Sequence, residues 1–226
     1  MGIHDLASGT PAIAGEVFGA NAAVAERYVD LLRRHGVERG LIGPRETDRL
    51  WERHVLNSAV IGERIPEGAR VVDVGSGAGL PGVPLAIARP DLDMVLLEPM
   101  ARRVDWLTEV AQTLELPLAI ERGRAEERAV RERIGSAEVV TARAVAPLGR
   151  LAGWCLPLVR AGGTLLAMKG ASVAEEVDRD RVEIQRAGGS TPQVVECGQG
   201  LLEPATIVAL IERRASTRTA SGRRRR

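Results

Sequence analysis

The sequence predicts an α/β protein: a mostly parallel seven-stranded sheet, an antiparallel hairpin closing one edge, and a helical extension in front. Three observations lead there. From Arg70 onward, short β-branched runs alternate with amphipathic stretches in five successive β-α units, which gives a parallel sheet with helices on both faces. The last two apolar runs, 194–197 and 207–211, are separated by a short connection and are therefore expected to pair antiparallel. The region before residue 65 shows only helical spacing. The expected division is a helical extension over 1–64, one domain over 65–213 and a basic tail over 214–226.

In the extension, Val24, Tyr28, Leu31, Leu32 and His35 share one helical face, with Asn21 as the N-cap and Gly36 at the end. A second helix carries Leu50, Trp51, His54, Val55 and Ala59 as an apolar stripe after a Thr47 cap, until Pro66 and Gly68 interrupt it. Strand one spans 71–74, and a glycine-rich turn leads to a helix over 81–88. Strand two spans 94–98. The helix over 101–114 puts Val104, Leu107, Ala111 and Leu114 on one face. Strand three covers 118–122, a short helix 126–134 and strand four 138–142. Pro147, lacking an N–H that the first helical position does not need, opens a helix bearing Leu148, Leu151, Cys155 and Leu158. Gly162-Gly163 is expected to end it before strand five, 164–168. Ser172 and Glu175 read as a capping box for the next helix.

Composition narrows the function. The chain has 226 residues, 45% apolar and 27% charged, which suits one soluble globular domain. Its five aromatic residues are too few for a base-stacking platform. Two cysteines and three scattered histidines give no disulfide framework and no metal-ligand spacing, so no metal is expected. No apolar run spans a membrane and no secretory signal is visible at the N-terminus, so a cytoplasmic protein with no membrane partner is expected. The net charge of +1 conceals a split. Residues 213–226 hold seven of the 31 basic residues and no acid, leaving 24 basic against 30 acidic groups in 1–212. An acidic body with a basic arm, which the composition predicts to be disordered, suits an anionic partner.

The sharpest local signal is VVDVGSGAGLPG, residues 71–82. Gly75, Gly77 and Gly79 follow directly on a strand, where glycine allows positive φ and removes the Cβ that would bar close approach. In a doubly wound sheet this is the carboxyl end of the first strand, where ligands bind. The spacing is G-x-G-x-G rather than the dinucleotide G-x-G-x-x-G, and Pro81 supplies no N–H for a pyrophosphate. The turn therefore suits a nucleoside without phosphates. Glu98 ends strand two, where an acid accepts hydrogen bonds from both ribose hydroxyls. Asp73 either braces the turn or meets a ligand ammonium group. Ala125 leaves room for an adenine ring after strand three; Glu126 either serves that site or opens a helix. Together these positions point to S-adenosylmethionine as cofactor.

The motifs DVGSGAGLPG (73–82), GRAEE (123–127), ARAVAPL (142–148) and MKG (168–170), with RLWERHVLNS (49–58) upstream, resemble in type and order the bacterial 16S ribosomal RNA methyltransferase G family, also called the glucose-inhibited division protein B family. The resemblance covers about residues 45–211. It implies the Rossmann-like fold of class I methyltransferases. It also implies methylation of N7 of one guanine in the 530 loop of 16S RNA, with the free RNA or the 30S subunit as partner and a monomer as the expected state. It assigns the cofactor to Gly75, Leu80, Ala125, Glu126 and Arg143, to which the residues themselves add Gly77 and Glu98. Guanine N7 carries a lone pair and no proton, so no general base is expected, and no catalytic residue is evident; Arg143 and Lys169, at the ends of strands four and five, are the candidates. Arg45, Arg49 and Arg53 recur every four residues as a basic column, with Glu46, Asp48 and Glu52 expected to point elsewhere. RNA contacts are expected at Arg49, Arg53, Arg102, Arg103 and Lys169. His54 is expected to pack beneath its helix rather than act. The rival readings are a small-molecule methyltransferase and a nucleotide-dependent oxidoreductase.

Overall fold

A computed structural model of the chain describes residues 10–143 and 146–215. Seven strands form: β1 (Arg70–Val74), β2 (Asp93–Glu98), β3 (Ala119–Arg122), β4 (Ala137–Arg143), β5 (Val159–Met168), β6 (Gln193–Cys197) and β7 (Thr206–Glu212). They lie in the order β3-β2-β1-β4-β5-β7-β6. The first five are parallel, while β7 runs antiparallel to both β5 and β6, as the short connection requires. The chain steps outward from β1 to β3 and then returns to β4 on the other side of β1. The carboxyl ends of β1 and β4 therefore form the switch point where such sheets bind ligands.

The two-residue period of the strands sorts the core into two layers. Val71, Met94 and Leu96 face one cluster, while Val72, Val74, Val95 and Leu97 face the other. On the first face lie α1 (Ile13–Phe18), α2 (Ala22–His35), α3 (Leu56–Val60), α4 (Gly82–Ala88) and α5 (Ala101–Leu114). On the second lie α6 (Arg128–Ile134), α7 (Leu148–Cys155) and α8 (Val173–Arg186). The helices before residue 65 thus share one hydrophobic cluster with β1 and α5: Tyr28, Leu32, Val55 and Ile61 are fully buried there.

Several local expectations change. Gly162-Gly163 do not end α7. That helix yields to a 3-10 turn at Leu156–Leu158, where Pro157 has no N–H to continue it, and the glycines lie inside β5 at a register shift against β4. A Cβ on Gly163 would sit 2.5 Å from the Glu138 carbonyl oxygen. Asn21 makes no side-chain cap: it is the last residue of a 3-10 turn, Gly19–Asn21, in bridge-region geometry, and its Nδ2 donates to the Ile87 carbonyl. Thr47 lies within a 3-10 turn, Pro44–Arg49, and donates to the Pro44 carbonyl. The Ser172–Glu175 capping box does not form, because Ser172 has ψ near 6° instead of the extended geometry that aims a hydroxyl at the helix. On α5 the buried face is Trp106, Leu107, Val110 and Leu114, with Val104 and Ala111 only half-buried. Cys155 is core, as expected. The tail from 216 to 226, and Ala144 and Val145 of the ARAVAPL motif, lie outside the described residues.

Candidate active site

After β1 the chain turns through Gly75, Gly77 and Gly79, with φ of 74°, 57° and 106°. All three angles are left-handed, which explains the glycines. The turn is fixed from below and behind. Gly75 and Ser76 donate their N–H groups to the Leu97 carbonyl at the end of β2. The carbonyl of Ala78 accepts two hydrogen bonds, from Tyr28 Oη at 3.0 Å and from Trp106 Nε1 at 2.8 Å. A Cβ on Gly79 would stand 3.0 Å from that Tyr28 oxygen and 2.7 Å from Val83. Two aromatic donors from α2 and α5 thus hold one backbone oxygen of the turn. Their only signal in the sequence is that a chain so poor in aromatics places them on apolar helix faces.

Asp73 is fully buried under the turn. Its Oδ2 accepts the Gly82 N–H at 3.0 Å and its Oδ1 the Thr141 hydroxyl at 3.2 Å. Burial raises its carboxyl to about 6, against the lowering effect of those hydrogen bonds. It braces the turn. Glu98, also buried, uses one oxygen for each of two backbone donors, Gly77 N–H at 2.9 Å and Met100 N–H at 2.9 Å. Glu98 itself borders neither cavity, standing behind the turn with its Oε2 also 3.9 Å from Arg103 Nη1.

Two cavities open at the switch point. The smaller, about 360 Å³, lies against the turn and is bordered by Gly75, Gly77, Leu80, Arg103 and Arg143 among others. The larger, about 1540 Å³, is bordered by Arg49, Arg53, Lys169 and Arg179, and on its far side by the β6–β7 connection. Glu46, His54 and Arg143 border both. The segment carrying the first two is wound irregularly: a 3-10 turn over Pro44–Arg49 is followed by a π turn over Trp51–Val55. Arg45, Arg49 and Arg53 therefore do not form the column that uniform helical spacing implies. Glu46 does not point away either, since its Oε2 lies 2.7 Å from His54 Nε2 and its Oε1 3.4 Å from Arg53. His54, expected to pack beneath its helix, is largely buried, its side chain 14% exposed, and lies at the meeting of the two cavities. Its Nδ1 meets the Arg143 guanidinium, which also donates to the Arg53 carbonyl at 3.0 Å and lies near the His54 carbonyl and Ser58 Oγ. Burial first, then the Arg143 charge, hold the imidazole below its usual range, and the hydrogen bond from His54 lowers Glu46.

The remaining candidates divide. Arg103 belongs to the smaller cavity, not to an outer RNA face: its Nη1 is 3.9 Å from Glu98 Oε2 and its buried Nε has no partner. Arg102 is exposed on α5 and borders neither cavity. Lys169 borders the larger cleft, but its side chain is 7% exposed and its Nζ bonds the Ala146 carbonyl at 2.7 Å and Glu176 at 2.9 Å. It braces the cleft wall rather than reaching outward. Ala125 is buried and Glu126 exposed after β3, whose exit is tied to β2 by the Gly123 N–H on the Glu98 carbonyl; neither borders the smaller cavity. Among the described residues no group of His, Cys, Asp and Glu is placed to hold a metal. No described helix is long and apolar enough to cross a membrane.

Residues 21–206 match the family model described as rRNA small subunit methyltransferase G. A protein of that name from Rhodococcus jostii is 56% identical over 202 residues, 89% of each chain. One from Mycobacterium marinum is 55% identical over 206 residues, covering 91% of this chain and 90% of the relative. Among solved structures, Aeropyrum pernix fibrillarin, determined with natively bound S-adenosyl-L-methionine, superposes with a TM-score of 0.54 at 18% identity, over 70% of this chain and 74% of that one. The likeness is one of fold.

Proposed function

This chain belongs to the rRNA small subunit methyltransferase G family, and we propose that it transfers a methyl group from S-adenosylmethionine to N7 of one guanine in the 530 loop of 16S RNA. The observation that carries the reading is the pair of adjoining cavities at the carboxyl ends of β1 and β4. One is sized for a nucleoside and lies against the glycine turn; the other is large enough for an unstacked nucleotide.

The residues fit the cofactor. Glu98, directly behind the Gly77 N–H that borders the smaller cavity, is the acid for the ribose hydroxyls, and a Cβ on Gly77 would meet nothing closer than Gly75 O at 3.7 Å. Arg103, with an unpartnered buried Nε, supplies donors on the same side. When bound, the cofactor supplies an activated methyl on a sulfonium. Guanine N7 offers a lone pair and no proton, so the transfer would ask no general base of the chain. The protein's work is therefore to hold two reactants in line, which can account for ~7–11 kcal/mol of the barrier. Arg49 and Arg53 on the rim of the larger cavity take RNA phosphates. The enzyme acts as a cytoplasmic monomer.

Incubation with 30S subunits and methyl-tritiated cofactor tests the reading. Label is expected in 16S RNA as N7-methylguanine within the 530 loop, and that modification is expected to be missing from cells lacking the gene. Label at another atom or another loop would overturn the assignment of the site. Label in small molecules but not in RNA would overturn the substrate class.

A further inference from the structure

Among the described residues, Glu46, His54 and Arg143 alone border both cavities. If one cavity holds the donor and the other the acceptor, the methyl group crosses at these three side chains. They form a chain of contacts from carboxylate to imidazole to guanidinium. We infer that His54 is a positioning residue: with Glu46 behind it, it aims the Arg143 guanidinium at the junction through which the methyl group passes. The inference rests on the methyltransferase reading above.

The proton count fixes the arrangement. A guanidinium can only donate, so His54 Nδ1 must accept from Arg143 and cannot carry a proton. The ring proton therefore sits on Nε2 and is donated to Glu46 Oε2. Glu46, drawn below its usual range by that hydrogen bond, is a stable acceptor. The imidazole is neutral in a single tautomer, and it is kept so by burial and by the positive neighbour it serves. The other charged groups facing it are Arg53, from its own turn, and Glu46, from the 3-10 turn; Asp73 and Tyr28 act on Arg143 from the β1 and α2 side. The π turn that carries His54 also presents the Arg53 carbonyl to the same guanidinium. Arg143 is thus held on several sides by a segment that precedes it by some ninety residues. Protonation of Nδ1 would place a donor against a donor and release it.

Two kinds of measurement test this. The first needs no activity. In protein labelled with ¹⁵N-histidine, which has only His4, His35 and His54 to assign, His54 is expected as the neutral Nε2–H form, and to titrate below the ordinary histidine range. A protonated Nδ1 in the neutral ring, or titration in the ordinary histidine range, would overturn the proposal. The second uses transfer to 30S subunits. His54→Leu is expected to lower kcat/KM about 10- to 100-fold, the size of a lost charge-assisted hydrogen bond. His54→Asn, whose amide oxygen can stand near the Nδ1 position, is expected to restore most of that and to remove the loss of activity on the acid side. A leucine variant as active as the wild type, or an asparagine variant with an unchanged acid limb, would overturn it. If the wild type transfers no methyl to RNA, the function is wrong, while the tautomer result still decides the arrangement of His54.

Discussion

Single side chains around the glycine turn have separable duties. Gly77 sits at φ 57°, and a Cβ there would meet nothing closer than Gly75 O at 3.7 Å, so a side chain there strains the backbone and intrudes on the cavity without disturbing the core. Gly77→Val is expected to abolish cofactor binding by calorimetry, with the far-ultraviolet circular dichroism spectrum unchanged. Gly82 is the opposite case. An added Cβ would lie 2.2 Å from Leu96 Cδ2 and 2.8 Å from Asp73 Oδ2, so Gly82→Ala is expected to cost stability first, by about 1–3 kcal/mol in urea unfolding. Tyr28→Phe leaves the Ala78 carbonyl with Trp106 alone. A loss of about 1 kcal/mol is expected, with weaker cofactor binding because the turn is looser. The glycine turn was legible because its chemistry is local: positive φ leaves a mark in the sequence, and so does the acid that ends β2 and accepts from the turn. Glu46, His54 and Arg143 were not legible as a group. Their contact spans about ninety residues and depends on a π turn, which no periodicity announces.

Elements were legible where the pattern was regular. The five parallel strands and the closing hairpin follow from alternating runs and connection lengths, and α5 begins and ends where its spacing indicates. What failed was punctuation. Two adjacent glycines read as a helix stop instead mark the irregularity in β5, because a β-bulge and a helix terminus ask for the same residue. Asn21, Thr47 and Ser172 read as caps, but each meets its helix through tight 3-10 or bridge geometry that turns the side chain away from the first-turn donors. The irregular segment 44–55 is the element on which the site depends. Its winding brings Glu46 and His54 to the same junction, where one continuous α-helix would have placed them two turns apart.

At the scale of the whole molecule, the helices before residue 65 complete the first layer of the core. A chain beginning at residue 65 would expose the surfaces of Val71, Val83, Trp106 and Leu107 that Tyr28, Leu32 and Val55 now share. Such a fragment is expected to be insoluble or unfolded by circular dichroism. Stability should also respond to pH through two buried groups of opposite sign. His54 is held below its ordinary 6.5, so below that pH the unfolded chain binds a proton the folded one refuses, and stability falls as pH drops. Asp73 is raised from 3.8 to about 6, so the folded chain keeps a proton the unfolded one loses, and that contribution disappears as pH rises through about 6. Asp73→Asn, which can still accept from Gly82 and donate to Thr141, is expected to melt higher than the wild type at pH 7.5 and to show no gain in the acid range.

The turn after β1, with Glu98 behind it, is proposed to hold the cofactor. Isothermal titration of the folded full-length protein with S-adenosylmethionine measures that directly. One saturable site is expected for the wild type and none for Gly77→Val. No heat beyond dilution for the wild type, or equal affinity in the two proteins, would contradict it.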